Sequence, residues 1–262
     1  MQVLGLDIGG TGIKGAPVDT QTGELIGERF RILTPQPSTP EAVLTTATEI
    51  VRHFDWEGPV GCGFPAVVQN GIVRTAANID HSWIDVNINQ RLGQQLARSV
   101  QVINDADAAG LAEMRFGAGK GHKGVVLMIT LGTGIGTALF ANGQLVSNTE
   151  LGHLDIRGKE AEDRAADSVR LRKELSWDKW AKRVDEYLDT LQRLLWPDLI
   201  IIGGGASKES ENFLPKLTVK CKVVPAQLLN QAGIVGAALA GVVDVPPPVP
   251  KIAAPKPRTR KP

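Results

Sequence analysis

Apolar positions along this chain come in two spacings, and their order outlines a fold. Val3 to Leu6 is an apolar run of strand length, and residues 3–33 as a whole predict three strands. Ser38-Thr39-Pro40-Glu41 predicts a helix start, with Thr39 as cap and Pro40 in the first turn. The helix that follows carries Val43, Leu44, Ala47, Ile50, Val51 and Phe54 on one face. Strands are predicted at Val60 to Phe64 and Gly71 to Thr75, a helix at Asn89 to Ser99, a short strand at Val100 to Ile103 and a helix at Ala106 to Phe116.

The second half repeats the scheme. Val125 to Ile129, Thr137 to Phe140 and Gln144 to Val146 predict a meander, followed by helices at 160–173 and 176–195. Ser176 caps the latter, whose stripe is Val184, Leu188, Leu191, Leu194 and Leu195. Leu199 to Ile202 is a buried strand running into Gly203-Gly204-Gly205, and the apolar, small-residue segment Ala232 to Val243 is the last helix. From Val245 the chain turns to Pro, Lys and Arg with no acidic residue, which predicts a disordered or polyproline-like tail.

Each half opens with a glycine-rich turn between strand-like segments. The first is Leu6-Asp7-Ile8-Gly9-Gly10-Thr11-Gly12-Ile13-Lys14-Gly15 and the second Ile129-Thr130-Leu131-Gly132-Thr133-Gly134-Ile135-Gly136. Glycine lets backbone N–H groups approach an anion with no side chain in the way, and Thr11, Thr130 and Thr133 add hydroxyl donors. Two such turns suggest a duplicated fold gripping a phosphate donor between its lobes. The Gly10 to Gly15 stretch matches the dinucleotide pattern, but that fingerprint needs a helix opening at the glycines. Here Gly15 and Pro17 lead instead into a second strand that ends at the Thr22-Gly23 turn. The P-loop pattern is absent as well, because Lys14 precedes Gly15 rather than Ser or Thr.

Bulk properties narrow the classes. A formal net charge of +1 gives no reason to propose a nucleic-acid binder. Two cysteines, Cys62 and Cys221, argue against a disulfide framework or a zinc cluster and fit a reducing compartment. Strand one begins by about residue 3, leaving no room for a signal peptide or an added DNA-binding module. No apolar run approaches the ~20 residues of a membrane span, so a cytoplasmic protein is expected.

Three polar clusters carry candidate chemistry. Asn104-Asp105 lies where a strand meets a helix, which holds a carboxylate rigidly; the helix N-terminus is expected to favour its ionised form. Such a carboxylate suits the base of a sugar kinase, whereas a plain helix cap is the alternative and Asp107 a competing acid. Glu150-Leu151-Gly152-His153, with Glu162 nine residues on, offers carboxylates and an imidazole to sugar hydroxyls. A metal site and a surface turn are its rivals. Asn78-Ile79-Asp80-His81-Ser82-Trp83 adds an amide for a sugar, with Trp83 packing between elements. His81 and His122 are expected at the surface, Phe64-Pro65-Ala66 as structural, and Gly203-Gly204-Gly205 as either a close backbone approach to a ligand or a tight turn.

Taken in order, Asp7-Ile8-Gly9-Gly10-Thr11, Asn104-Asp105, Thr130 to Gly136, Glu150-Leu151-Gly152-His153 and Ile202 to Gly205 resemble the sugar kinases of the ROK family (repressors, open reading frames, kinases) over residues 3–243. The resemblance implies an α/β, actin-like, ribonuclease-H-type duplicated fold of two lobes with a central cleft. It implies residues 1–104 as a small lobe with helix 230–243 packing back on it, 105–229 as a large lobe, and 244–262 as the tail. Asp105 is then the catalytic base, with Asn78, Asn104, Glu150, His153 and Glu162 as sugar ligands. Asp7, Gly9, Gly10, Thr11, Gly12, Lys14, Thr130, Gly132, Thr133, Gly134, Gly203, Gly204 and Gly205 hold the donor, which brings Mg²⁺. A homodimer is also implied.

One departure narrows the resemblance. Most members follow the Glu-x-Gly-His motif with a cysteine-rich zinc motif, whereas here Ile156 to Arg164 contains no Cys, so no structural zinc is expected. The members that lack it are the polyphosphate glucokinases, similar to this chain also at Gly12 to Asp19, Gly158-Lys159-x-Ala161-Glu162 and Pro197 to Lys208. They place phosphate from inorganic polyphosphate, some also from ATP, on the 6-hydroxyl of glucose. Lys14, Lys120, Lys123, Lys208, Lys216, Lys220 and Lys222 are candidates for a polyphosphate track, each with a solvated surface charge as the alternative. A kinase using ATP alone, a non-enzymatic sugar sensor and an actin-like filament protein are the competing readings.

Overall fold

The computed structural model describes residues 1–242; the predicted tail lies outside the described residues. The first half builds one sheet from β1 (Gln2–Ile8), β2 (Ile13–Asp19), β3 (Phe30–Ile32), β4 (Val60–Phe64) and β7 (Val100–Asn104), in the order β3-β2-β1-β4-β7. Helix α1 (Pro40–His53) separates β3 from β4, and the hairpin β5 (Val68–Gln69), β6 (Ile72–Val73) and α2 (Ile88–Leu96) separate β4 from β7. The expected strand Gly71 to Thr75 is thus only the second arm of a two-strand hairpin. Thr39 caps α1 by accepting from the Ala42 N–H, and the predicted stripe Val43, Leu44, Ala47, Ile50 and Val51 is buried.

After α3 (Asp105–Phe116) comes the second sheet: β8 (Val125–Leu131), β9 (Ile135–Ala141), β10 (Gln144–Val146), β11 (Leu199–Gly203) and β12 (Lys222–Pro225), in the order β10-β9-β8-β11-β12. The two orders superimpose strand for strand. Even the registers agree, since Asp7 pairs with Gly63 in parallel where Thr130 pairs with Gly203. This is the duplicated α/β architecture the motifs implied. The predicted helix 160–173 is broken at extended Ala166 into α4 (Glu162–Ala165) and α5 (Asp167–Arg172). Helix α6 (Trp177–Leu195) is capped by Ser176 and buries Val184, Leu188 and Leu191. Leu194 does not join them and is 62% exposed, because it lies about 80° round the helix from the Val184–Leu188–Leu191 line. Leu195, back on that line, packs against the core.

Three apolar layers result. One lies between the first sheet and α1 with α2, another between the second sheet and α4 to α6. The third lies between the sheets, filled by α3 and the last helix, α7 (Ala232–Ala240). These two helices are Ala- and Gly-rich because they run backbone against backbone. A Cβ on Gly236 would drive into the Ala108 carbonyl, and one on Gly61 into the Ala237 carbonyl. Trp83 is fully buried against Phe64, ring centroids 4.7 Å apart, and its indole N–H donates to the Ser38 carbonyl. It is a packing residue, as expected.

Candidate active site

Because the two halves share one topology, β1 and β8 both end at the same crevice, and their turns face each other across it. Each turn closes on itself: the Gly9 N–H donates to Gly12 O and the Gly132 N–H to Gly134 O, both at 3.1 Å. Outside bonds hold them still. Thr34 Oγ1 donates to Gly9 O at 2.5 Å, the Ser168 N–H to Gly132 O at 3.0 Å and Ser168 Oγ to Thr133 O at 2.6 Å. Between the turns is a cavity of about 510 Å³, the size of an ordinary small-molecule site.

Asp7, Gly9, Gly10, Thr11, Lys14, Thr130, Gly132, Thr133, Gly134 and Gly204 line it from the turn side, and Asn78, Asn104, Asp105, Glu150, His153 and Glu162 from the other. Gly203 and Gly205 line a smaller adjoining cavity of about 250 Å³, which shares Asp7, Lys14, Asp105, Thr130 and Gly204 with the first. Gly204 has φ +77°, and a side chain there would strike the Leu131 backbone; only glycine fits. Gly12 is the exception among the predicted donor residues. The Arg31 guanidinium lies over it, within 2.5 Å of where a Cβ would stand, and Gly12 does not line the cavity. Of the seven candidate lysines only Lys14 lines it; Lys216 is paired to Asp178 at 2.7 Å.

Asp105 opens α3, but Asn104 caps it: Asn104 Oδ1 accepts from the Ala106 and Asp107 N–H groups at 2.8 and 3.1 Å, and its Nδ2 donates to Ala66 O at 3.3 Å. That leaves Asp105 free to face the cavity. The expected stabilisation of its charge by the helix terminus is overturned. Burial first, then the neighbouring Asp7 carboxylate and Glu150, push Asp105 up to about 7, outweighing the Ala106 N–H it accepts. Desolvation at the cavity floor exceeds the half-charge of a helix end. Asp7 itself pairs with Lys14 at 3.1 Å. Asp107, the competing acid, turns away from the cavity and accepts from the Asn148 N–H at 2.8 Å.

The Glu150–His153 cluster hangs from β9. Buried Thr137 bonds the Thr149 carbonyl and accepts from the Leu151 N–H, which sets Glu150 at the rim. Gly152 is needed because a Cβ there would collide with Ile135 O. His153 Nε2 then lies 3.6 Å from Glu150 Oε2 and its Nδ1 2.8 Å from Glu160 Oε2. The Glu160 hydrogen bond raises the His153 pKa, and burial raises that of Glu150. Glu162 Oε2 accepts from the Ile135 N–H at 3.2 Å, tying this cluster to the second turn. Asn78 bridges the turns, its carbonyl beside Gly10 and its amide beside Gly134.

Sequence reasoning missed several residues. Pro65 and Ala66, read as structural, line the cavity; their place after β4, level with Asn104, was the available signal. Ser168 and Arg31 act at the turns without belonging to any motif. His81 is exposed, and neither it nor His122 lines the cavity. Among the described residues one triplet has cation-ligand spacing, His153, Glu160 and Glu162, with ligand atoms within 4.8 Å of one another.

Comparison with known proteins agrees with this fold. The model of the ROK family matches residues 3–166. The polyphosphate glucokinase of Mycobacterium tuberculosis is 53% identical over 242 residues, covering 92% of this chain and 91% of that protein. The inorganic polyphosphate/ATP-glucomannokinase of Arthrobacter sp. strain KM superimposes with a TM-score of 0.88 at 50% identity, over 91% of this chain and 97% of that one. A ROK family glucokinase from Streptomyces griseus, solved with glucose and AMPPNP, gives 0.80 at 26% identity over 91% and 98%.

Proposed function

This chain belongs to the ROK family, and on that premise we propose that it is a polyphosphate glucokinase. It transfers the terminal phosphoryl group of inorganic polyphosphate, and also of ATP, to the 6-hydroxyl of glucose. One observation carries the reading: Asp105, held at the head of α3, faces a cavity closed on its other side by two glycine turns from duplicated sheets. The names borne by relatives at 50–53% identity support the donor and the sugar.

The chemistry follows from the residues. Glucose occupies the side lined by Asn78, Asn104, Glu150, His153 and Glu162, with its 6-hydroxyl against Asp105. The donor's end phosphate lies between Gly9–Thr11 and Gly132–Gly134. Asp105 takes the hydroxyl proton as the oxygen bonds phosphorus and the shortened polyphosphate leaves as an anion. A base of pKa about 7 is matched to neutral pH, and such help is worth ~10²–10⁴-fold. Positioning and charge stabilisation of a metaphosphate-like transition state supply most of the rest.

Mg²⁺ fits the donor side. The Asp7 carboxylate and phosphate oxygens are hard ligands, and the charge that Asp7 imposes on Asp105 is what a cation there would offset. When bound, the ion neutralises phosphate oxygens. We read 1–104 and 105–229 as lobes that close on the substrates, in a cytoplasmic homodimer; no described helix is long and apolar enough to cross a membrane. The test is glucose 6-phosphate formation with polyphosphate and with ATP, by wild type and by Asp105→Ala. Turnover with ATP alone would reject the polyphosphate assignment, and wild-type turnover by the variant would remove Asp105 as base.

A further inference from the structure

We propose that Glu160 is a positioning residue of the sugar site: its carboxylate fixes the His153 ring so that Nε2 is presented to a sugar hydroxyl. The proposal rests on the reading of His153 as a sugar ligand. Glu160 does not itself line the central cavity; it lines an outer, open one with Asp155, Gly158 and Lys159. The imidazole therefore stands between Glu160 and the cavity, with Nδ1 2.8 Å from Glu160 Oε2 and Nε2 3.6 Å from Glu150 Oε2.

A carboxylate only accepts, so a bond at Nδ1 puts the ring hydrogen there. Nε2 is then the atom that faces Glu150 and the cavity: an acceptor in the neutral ring, a second donor in the imidazolium that the Glu160 bond favours. Without Glu160 the ring is free to take the other tautomer or to turn out of the site. Glu150 and Glu162 also bear on the ring, but from the sugar side, where they compete for the same hydroxyls rather than orient it.

The chain spends considerable structure on placing this one carboxylate. Asp155 and Glu160 form an antiparallel bridge, closed by the Ile156 N–H donating to Lys159 O at 2.7 Å. Arg157 and Gly158, with φ of +57° and +75°, make the tight reversal between them. The Gly158 N–H donates to Asp155 Oδ1 at 2.9 Å, Ile156 is buried in the second core, and Arg157 Nε donates to Glu186 Oε1 at 2.5 Å. The hairpin's exit is pinned where the Ala161 N–H donates to Leu154 O at 2.8 Å. A loop serving only as a connector has no need of anchors on both arms.

The test measures glucose dissociation constants without donor, for wild type, Glu160→Ala, Glu160→Gln, His153→Ala and the Glu160→Ala/His153→Ala double variant, each with and without EDTA. Glu160 is half exposed, so its variants fold, and matched melting curves check this. Glu160→Ala is expected to weaken glucose binding about tenfold, the worth of one charge-assisted hydrogen bond. Glu160→Gln, which keeps an acceptor, stays within about threefold of wild type, and the double variant binds no more weakly than His153→Ala. The KM for polyphosphate is unchanged. Wild-type affinity in Glu160→Ala alongside weak binding by His153→Ala overturns the proposal and spares the sugar site, as does additivity in the double variant. Loss of wild-type affinity in EDTA assigns the orienting role to a cation held with Glu162 and also overturns it. Undiminished binding by His153→Ala rejects the sugar-site reading itself.

Discussion

The two halves of this molecule share a strand order and differ at the matching places around the cavity. In the first, Asp7 pairs with Lys14 across β1 and β2, and Lys14 with Arg31 across β2 and β3, so a row of charges crosses the sheet beside the turn. In the second, the position matching Asp7 is Thr130 and the position matching Lys14 is Gly136. The turn there is one residue shorter, Gly132–Gly134 against Gly9–Gly12, and β11 runs on into the glycines 203–205. Asp105 directly follows β7, at the head of α3, whereas by the same register the matching position beyond β12 is Leu228. Duplication thus delivers two backbone cradles whose matching strand positions differ: charged at Asp7 and Lys14 in the first, uncharged at Thr130 and Gly136 in the second, where the acid beside the turn is Glu162, accepting from the Ile135 N–H.

The largest test of the asymmetry removes its centre. Asp105→Ala should cut turnover by ~10²–10⁴-fold and leave glucose affinity within several-fold, as read by initial rates and calorimetry. Next, Thr130→Asp makes the second half imitate the first. A carboxylate about 4 Å from donor oxygens should cost about a hundredfold in kcat/KM for polyphosphate; an unaffected rate would show that the donor does not lie against β8. Lys14→Ala should raise the polyphosphate KM about tenfold and flatten its salt dependence, whereas Lys216→Ala, remote from the cavity, stays within about twofold.

The pH dependence sharpens the comparison further. Asp105 must be ionised to accept a proton, so kcat should climb with pH through about 7. Asp7→Asn removes the like charge and should move that rise to lower pH. The smallest effect has the opposite sign. A carboxyl whose folded pKa is raised binds its proton more tightly in the folded state, so between about pH 4 and 7 its contribution to stability declines as pH rises. Asp105→Asn should therefore melt higher above pH 7, by about 2–4 °C for ~1 kcal/mol, while remaining inactive.

Most of the frame was legible in the residues. Apolar runs located β1, β4, β7, β8 and β11, and Ser176 and Thr39 marked helix starts, because strands buried on both faces and capped helices leave strong local patterns. Leu194 misled because every leucine near a helical stripe looks alike until the phase is followed to the helix end. The break at Ala166 carried no local signal: the Trp180 indole N–H, from a helix further on, donates to the Ala165 and Ala166 carbonyls on either side of it. The motifs pointed to Asp105, which lines the cavity, but misjudged its charge, since burial and the repulsion of the nearby Asp7 carboxylate are properties of three dimensions. Ser168 and Arg31 escaped for the same reason, acting on the turns from distant strands and helices.

One further consequence belongs to the crossing of α3 and α7. Where Gly236 meets Ala108, main chain lies directly on main chain. A single added methyl at Gly236 would meet the Ala108 carbonyl, force the two helices apart and unsettle the whole middle layer at once. Cohesion of that layer rests on three missing carbon atoms, at Gly236 where α7 meets α3 and at Gly5 and Gly61 where β1 and β4 meet α7.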